Sequence, residues 1–170
     1  MKEYDGKVRV VFKNMVVHPQ VAIAHFAGCA AGKQGKFKEF KNTWWEKAFK
    51  TRKMDEENIN AIAKEIGLNM DKFKADMNGD ECKQMIANDA QELSKFRVNS
   101  TPTFFVNGTH VGGALPKENF KQMIDEKLKA ADGQADYYDK VIMATGLKQF
   151  RSKKDAQGGG PQGGGGGAPH

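Results

Sequence analysis

The sequence predicts one α/β domain with a block of helices set between strands. Three observations carry this reading. Strand-forming runs sit on both flanks: Val8-Arg9-Val10-Val11-Phe12 on one side, and Thr103-Phe104-Phe105-Val106 with Thr109-His110-Val111 on the other. Between residues 19 and 96 the apolar residues recur at helical spacing. A length of 170 residues with 39% hydrophobic residues fills one core and excludes wholesale disorder.

The elements follow in order. In the run from Val8 to Phe12 nearly every residue after Arg9 is apolar, the pattern of a strand covered on both faces. Pro19 suits the first turn of a helix that Val21 to Ala31 continues and Gly32 to Gly35 breaks. Phe37, Phe40, Trp44 and Ala48 share one helical face, and Trp45 and Phe49 widen it from core toward surface. Asp55 caps the next helix, whose inner face is Ile59, Ile62, Ala63 and Ile66, and Gly67 ends it. Asn69 caps a short helix carrying Phe73 and Met77. A longer helix over 81–96 places Cys82, Met85, Ile86, Ala90 and Leu93 inward. Pro102 enters a strand at the position where a missing N–H is tolerated, and Asn107-Gly108 turns it into a hairpin. Leu115-Pro116 opens a helix with Phe120, Met123, Ile124 and Leu128 inward, and 136–145 predicts one more.

Several of these segments together resemble a known family. They are Lys7 to Asn14, His18-Pro19, Gln34-Gly35-Lys36-Phe37, Ser100 to Gly108, and Gly112-Gly113-Ala114. In this order and spacing, from about Gly6 to Leu128, the chain resembles the DsbA-like branch of the thioredoxin superfamily. The resemblance implies a thioredoxin-like sheet with an inserted helical subdomain at about 19–96, within a domain spanning 1–132. A helical extension over 133–150 and a flexible Gly-rich tail over 151–170 complete the expected organisation. The resemblance also implies thiol-disulfide oxidoreductase ancestry, no cofactor, and a substrate groove at Thr101 and Pro102, whose peptide bond is a candidate for cis. Its partners would be extended polypeptides bound by strand addition.

The departure from the family matters equally. Its N-terminal strand and the Cys-x-x-Cys at the following helix start have no counterpart here; Met1 to Tyr4 resembles the end of that helix. The resemblance thus implies an N-terminally truncated member with no catalytic residue, and no redox activity is expected. By the same analogy the missing strand would lie between 8–12 and 103–106. The two edges then pair with each other, accept a strand from another chain (a homo-oligomer included), or leave a marginally stable fold.

Thiol-disulfide exchange needs an attacking thiolate and a resolving thiol, which a Cys-x-x-Cys at a helix N-terminus supplies together. This chain has only Cys29 and Cys82. Cys29 falls toward a helix end and Cys82 near a helix start, and neither is at the strand-to-helix junction. In an exported domain the even count points to one structural bridge; two separate buried thiols and a redox pair are the alternatives. The histidines His18, His25, His110 and His170 do not form a metal-ligand pattern, and no metal is expected. Gly112-Gly113 lacks a phosphate-loop context and reads as a tight turn.

A net charge of +6 comes from lysines scattered over helices, which reads as solvated surface; nucleic acid is not an expected partner. No apolar run reaches membrane-spanning length, so no membrane partner is expected either. The resemblance implies a periplasmic or extracellular site. No signal segment follows Met1, so a genuine start there would place the protein in the cytoplasm. Two rival functions are a non-catalytic peptide- or protein-binding thioredoxin-fold domain and a glutathione-transferase or isomerase-like branch. The second needs a Ser or Cys near the end of a first strand, which is absent here.

Overall fold

Small residues decide where the helices meet. The computed structural model describes residues 2–148. After a 3₁₀ turn at Pro19–Val21, helix α1 (Ala22–Lys33) buries Ala27, Gly28, Ala30 and Ala31. With so little side chain on its inner face, neighbouring helices approach closely, and α1 becomes the hub of the bundle. It packs against α2 (Phe37–Trp44), α3 (Glu56–Glu65), α4 (Met70–Asn78) and α5 (Asp80–Lys95). Phe37 lies against both glycines of α1, its ring beside Gly28 and its Cβ beside Gly32. Phe40, Ile59, Ile62, Ala63, Phe73 and Met77 complete the core from the other helices.

The caps form where sequence places them. Asp55 accepts from the Asn58 N–H at 2.9 Å, and Asn69 accepts from the Lys72 N–H at 2.9 Å, satisfying N–H groups that a helix start leaves unpaired. Gly67 leaves α3 at a φ of +71°, a conformation glycine adopts without a Cβ penalty. Lys36 Nζ donates to the carbonyls of Ile66 and Gly67 at 2.6 and 3.2 Å and closes the end of that helix. Helix α2 continues into a π-helical turn at Trp45–Phe49. There Trp44 is half-buried, while Trp45 is exposed and stacks on Phe49 at 4.3 Å.

Strands β1 (Thr103–Val106) and β2 (Thr109–Gly112) form an antiparallel hairpin in which Val106 faces Thr109 across Asn107-Gly108. Asn107 and Gly108 both have positive φ, as a two-residue hairpin turn requires. Among the described residues no third strand joins this sheet. Helix α6 (Lys117–Ala131) lies against β1, its Phe120 ring 4.8 Å from Phe104. A π-helical turn at Tyr138–Met143 stands where the last predicted helix falls. Residues 149–170, with the end of the predicted extension and the Gly-rich tail, lie outside the described residues.

Two expectations need correction. Residues 8–12 form no strand: among the described residues their one backbone hydrogen bond is from Val8 N–H to the Tyr4 carbonyl at 3.3 Å, and Val10, Val11 and Phe12 are 51%, 61% and 57% exposed. Strand propensity expresses fit to a pleated, partnered surface, and among the described residues no partner strand reaches this run. It does not pair with β1 either. In α5 the inward positions are Cys82, Ile86 and Asp89, whereas Met85 and Ala90 are exposed. Seven residues make nearly two turns, so 89 and not 90 returns to the face of Cys82.

Candidate functional site

The turn before β1 is built by its own short-range bonds. The Thr101–Pro102 peptide bond is cis. Thr103 Oγ1 donates to the Ser100 carbonyl at 2.8 Å, and the Pro102 carbonyl accepts from Gly113 N–H at 2.8 Å. That last bond extends the hairpin ladder by one position, and Gly113 meets it at a φ of +80°. Thr101 and Pro102 are both exposed.

Pairing fixes which backbone groups of β1 face outward. In an antiparallel ladder hydrogen-bonded and non-bonded pairs alternate. Pro102–Gly113 is a bonded pair, so Phe104–Val111 is the next, and Thr103 and Phe105 aim their N–H and C=O groups at the free edge. Phe105 stands 45% exposed, its ring 5.7 Å from Phe96 and 5.3 Å from His110. Along the exposed turn and this edge the outward groups of Thr103 and Phe105 alternate with the paired positions Pro102 and Phe104, beside aromatic side chains.

The two cysteines are elsewhere. Cys29 and Cys82 form a disulfide with Cα atoms 5.8 Å apart, joining the later part of α1 to the first turn of α5. Beside it, Lys33 Nζ reaches Asp76 and Glu81, each at 2.6 Å, and those carboxylates raise the lysine pKa, Asp76 first. The bridge and the ion pairs thus staple the same corner of the bundle. The hairpin meets α5 at its other end, through Phe96. At 1.5 Å per residue, Cys82 lies about 20 Å along the helix from that contact. The structure therefore brings Thr101 and Pro102 together with Phe104 and Phe105, but not with the sulfur pair.

A polar cluster that the sequence did not single out tethers the N-terminal segment. Asp89, only 5% exposed, accepts from the Asn14 N–H at 2.8 Å and from Asn14 Nδ2 at 2.9 Å. Lys13 Nζ lies 3.1 Å from Asp89 and 2.7 Å from Glu92. Because the Asn14 amide nitrogen is committed to Asp89, its oxygen accepts from His25 Nδ1 at 3.0 Å, which assigns the proton to Nδ1. Burial pushes the Asp89 carboxyl up, but the Asn14 donors and Lys13 outweigh it and hold the pKa below 3.8. Burial alone lowers His25 below 6.5, and the bond to Glu92 leads in raising Lys13. His18 is exposed. Among the described residues no three His, Cys, Asp or Glu side chains gather to hold a metal ion, and no helix is long and apolar enough to cross a membrane.

A helical bundle joined to a hairpin with a cis-proline entry defines the class, and sequence comparison agrees with it. A family model described as Thioredoxin matches residues 1–126. The chain belongs to the thioredoxin family, in its DsbA-like branch. It is 26% identical over 135 residues to a probable disulfide bond formation protein D of Bacillus cereus, covering 73% of this chain and 60% of that protein. The corresponding protein of Bacillus anthracis is 24% identical over 135 residues, covering 73% of this chain and 59% of that one. A Na(+)/H(+) antiporter NhaA of Herminiimonas arsenicoxydans is 29% identical over 112 residues, 65% of this chain and 17% of the antiporter. The chain thus spans about 60% of the length of the disulfide bond formation proteins it matches and a smaller part of the antiporter. No solved structure matches it significantly.

Proposed function

We propose that these 170 residues are a member of the thiol-disulfide oxidoreductase lineage that turns over no disulfide alone and binds extended polypeptide at Thr101–Pro102. One observation carries the first half: the only two cysteines in the sequence are joined to each other, inside the helical bundle and away from the cis-proline turn. A structural bridge of this kind persists in oxidising compartments, which favours a site outside the cytosol. The second half rests on the outward backbone groups of Thr103 and Phe105 beside the exposed turn, where main-chain bonds would give affinity and the aromatic side chains selectivity.

Dithiol oxidation with a model peptide tests the first half. No turnover above the uncatalysed rate is expected; turnover that disappears in Cys29→Ala/Cys82→Ala would overturn it. Fluorescence anisotropy with a labelled, cysteine-free extended peptide tests the second half. Pro102→Ala is expected to weaken binding about tenfold, the equivalent of roughly one well-formed hydrogen bond. Unchanged affinity would remove the turn from the binding surface.

A further inference from the structure

We propose that the Cys29–Cys82 bridge is also a modification site: a small thiol of the glutathione class opens it by attacking Cys29, Cys82 departs, and the thiol stays on Cys29 as a mixed disulfide. This chemistry is separate from peptide binding at Thr101–Pro102. The helices packed around the bridge, α1, α4 and α5, lie within residues 22–95.

The two sulfurs are not equivalent. In exchange a thiolate attacks one sulfur while the other leaves, so access selects the first and charge stabilisation the second. Cys82 is 0% exposed, with α1 and α4 packed against its helix. Cys29 is half-buried, the one position from Ala27 to Ala31 that is not buried. Because Gly28 and Ala30 on either side are buried, the helix backbone is covered there, and what Cys29 exposes is its side chain. One turn further on, Gly32 is exposed and carries no side chain to block an approach.

The leaving group points the same way. Cys82 stands in the first turn of α5, where N–H groups without helical partners and the positive end of the dipole favour a thiolate. Cys29 stands in the later part of α1, toward the negative end. Three carboxylates oppose charge on Cys82, and each is held by a lysine: Asp76 and Glu81 by Lys33, and Asp80 by Lys83 at 3.5 Å.

The step balances with the small thiol as its only reactant. Its sulfur bonds to the Cys29 sulfur, the bond between Cys29 and Cys82 breaks, and the electron pair stays on Cys82, which takes a proton from solvent. A second thiol attacking the adduct would leave as the oxidised dimer and complete a two-electron reduction of the bridge. Cys82, held beside Cys29 where α1 meets α5, attacks the adduct in the reverse direction, re-forms the bridge and expels the small thiol. The adduct therefore lasts only while free thiol is present.

Time-resolved trapping on the full oxidised chain tests the inference, with reduced glutathione as probe at mildly alkaline pH. Samples are quenched in acid, free thiols are capped with a maleimide, and peptides are mapped by mass spectrometry. The first adduct is expected on Cys29 with Cys82 capped, outnumbering the reverse by about tenfold or more. In denaturing urea, where both sulfurs are open, that preference should fall below about twofold. In sub-denaturing urea the rate of adduct formation should change less than about twofold, because attack on Cys29 needs no unfolding. Rapid removal of glutathione before the quench should clear the adduct and restore the bridge. In Cys82→Ala treated with oxidised glutathione, the adduct on Cys29 should survive the same step. Overturning results are no adduct in the native chain, adducts mainly on Cys82 or equally on both cysteines, and a rate that rises with the unfolded population. An adduct that outlives removal of glutathione in the unaltered chain would also overturn the inference.

Discussion

Reducing the Cys29–Cys82 bridge should cost about 4 kcal/mol of folding stability. The value follows from the sequence separation of 53, through the loop-closure entropy that the cross-link removes from the unfolded chain. The Lys33–Glu81 pair at the same corner cannot compensate, because surface ion pairs contribute about 0–1 kcal/mol. Against a total stability of about 5–15 kcal/mol for a domain, the loss is large. With a urea m-value of about 2 kcal/mol/M, the unfolding midpoint should fall by about 2 M on reduction. The m-value itself should rise, because the unfolded chain expands once the loop opens. The assay is equilibrium urea unfolding followed by circular dichroism, with thiol titration confirming that both sulfurs are reduced. Cys29→Ala/Cys82→Ala serves as the control and should show no response to reductant. A midpoint shift below about 0.5 M at full reduction would refute the reasoning.

Acid should loosen the N-terminal segment in two stages. His25 has a depressed pKa, so the stability it contributes is present above 6.5 and is lost as pH falls through its lower folded value. Asp89 is likewise depressed, and its contribution is present above 3.8 and lost as pH falls through its folded value below that. Lys13 and Glu92 face the same cluster, and Lys13, raised above its ordinary value, stays charged throughout. Thermal unfolding against pH should therefore lose its upper step in His25→Gln and its lower step in Asp89→Asn; identical pH profiles in both variants would reject the assignment. In the core, Phe73→Ala should cost about 3–5 kcal/mol by urea unfolding, because the ring is fully buried and meets Phe40 at 6.2 Å. A loss below about 1 kcal/mol would mean the site collapses onto the gap.

The sequence made local features legible and left partnered ones hidden. Asp55, Gly67, Asn69 and Asn107-Gly108 act through bonds and dihedrals within a few residues, so each is recognisable by type and position. The core face of α3 was equally clear, since Ile59, Ile62 and Ala63 are apolar and correctly spaced. Residues 8–12 misled because four strand formers cannot make a strand without a neighbour, and the neighbour is not a local property. Asp89 was hidden for a different reason. Ala90 is apolar and drew the reading one position too far, while the seven-residue step from Cys82 to Asp89 was the signal that the carboxylate faces inward. Its partners, Asn14 and Lys13, are 75 and 76 residues away, beyond the reach of any local pattern.

The placement of the sulfurs bears on redox chemistry even if the bridge opens. Exchange requires a thiolate to approach a second disulfide with access to its sulfur. Cys82 is fully buried, with α1 and α4 packed against its helix, so no substrate disulfide reaches that sulfur without local unfolding; Cys29 is half-buried and lies in the later part of α1, where the helix dipole disfavours a thiolate. The hairpin edge is the reverse case: outward backbone groups at Thr103 and Phe105 and exposed aromatic side chains with no sulfur of their own. A two-stranded hairpin is marginal alone, and here Phe104 against Phe120 and Phe105 against Phe96 support its two faces while leaving the outer edge clear. The proposed contact with polypeptide and the disulfide thus fall on different parts of this chain. A reaction coupling them would need a sulfur couple brought to Pro102 from outside these residues.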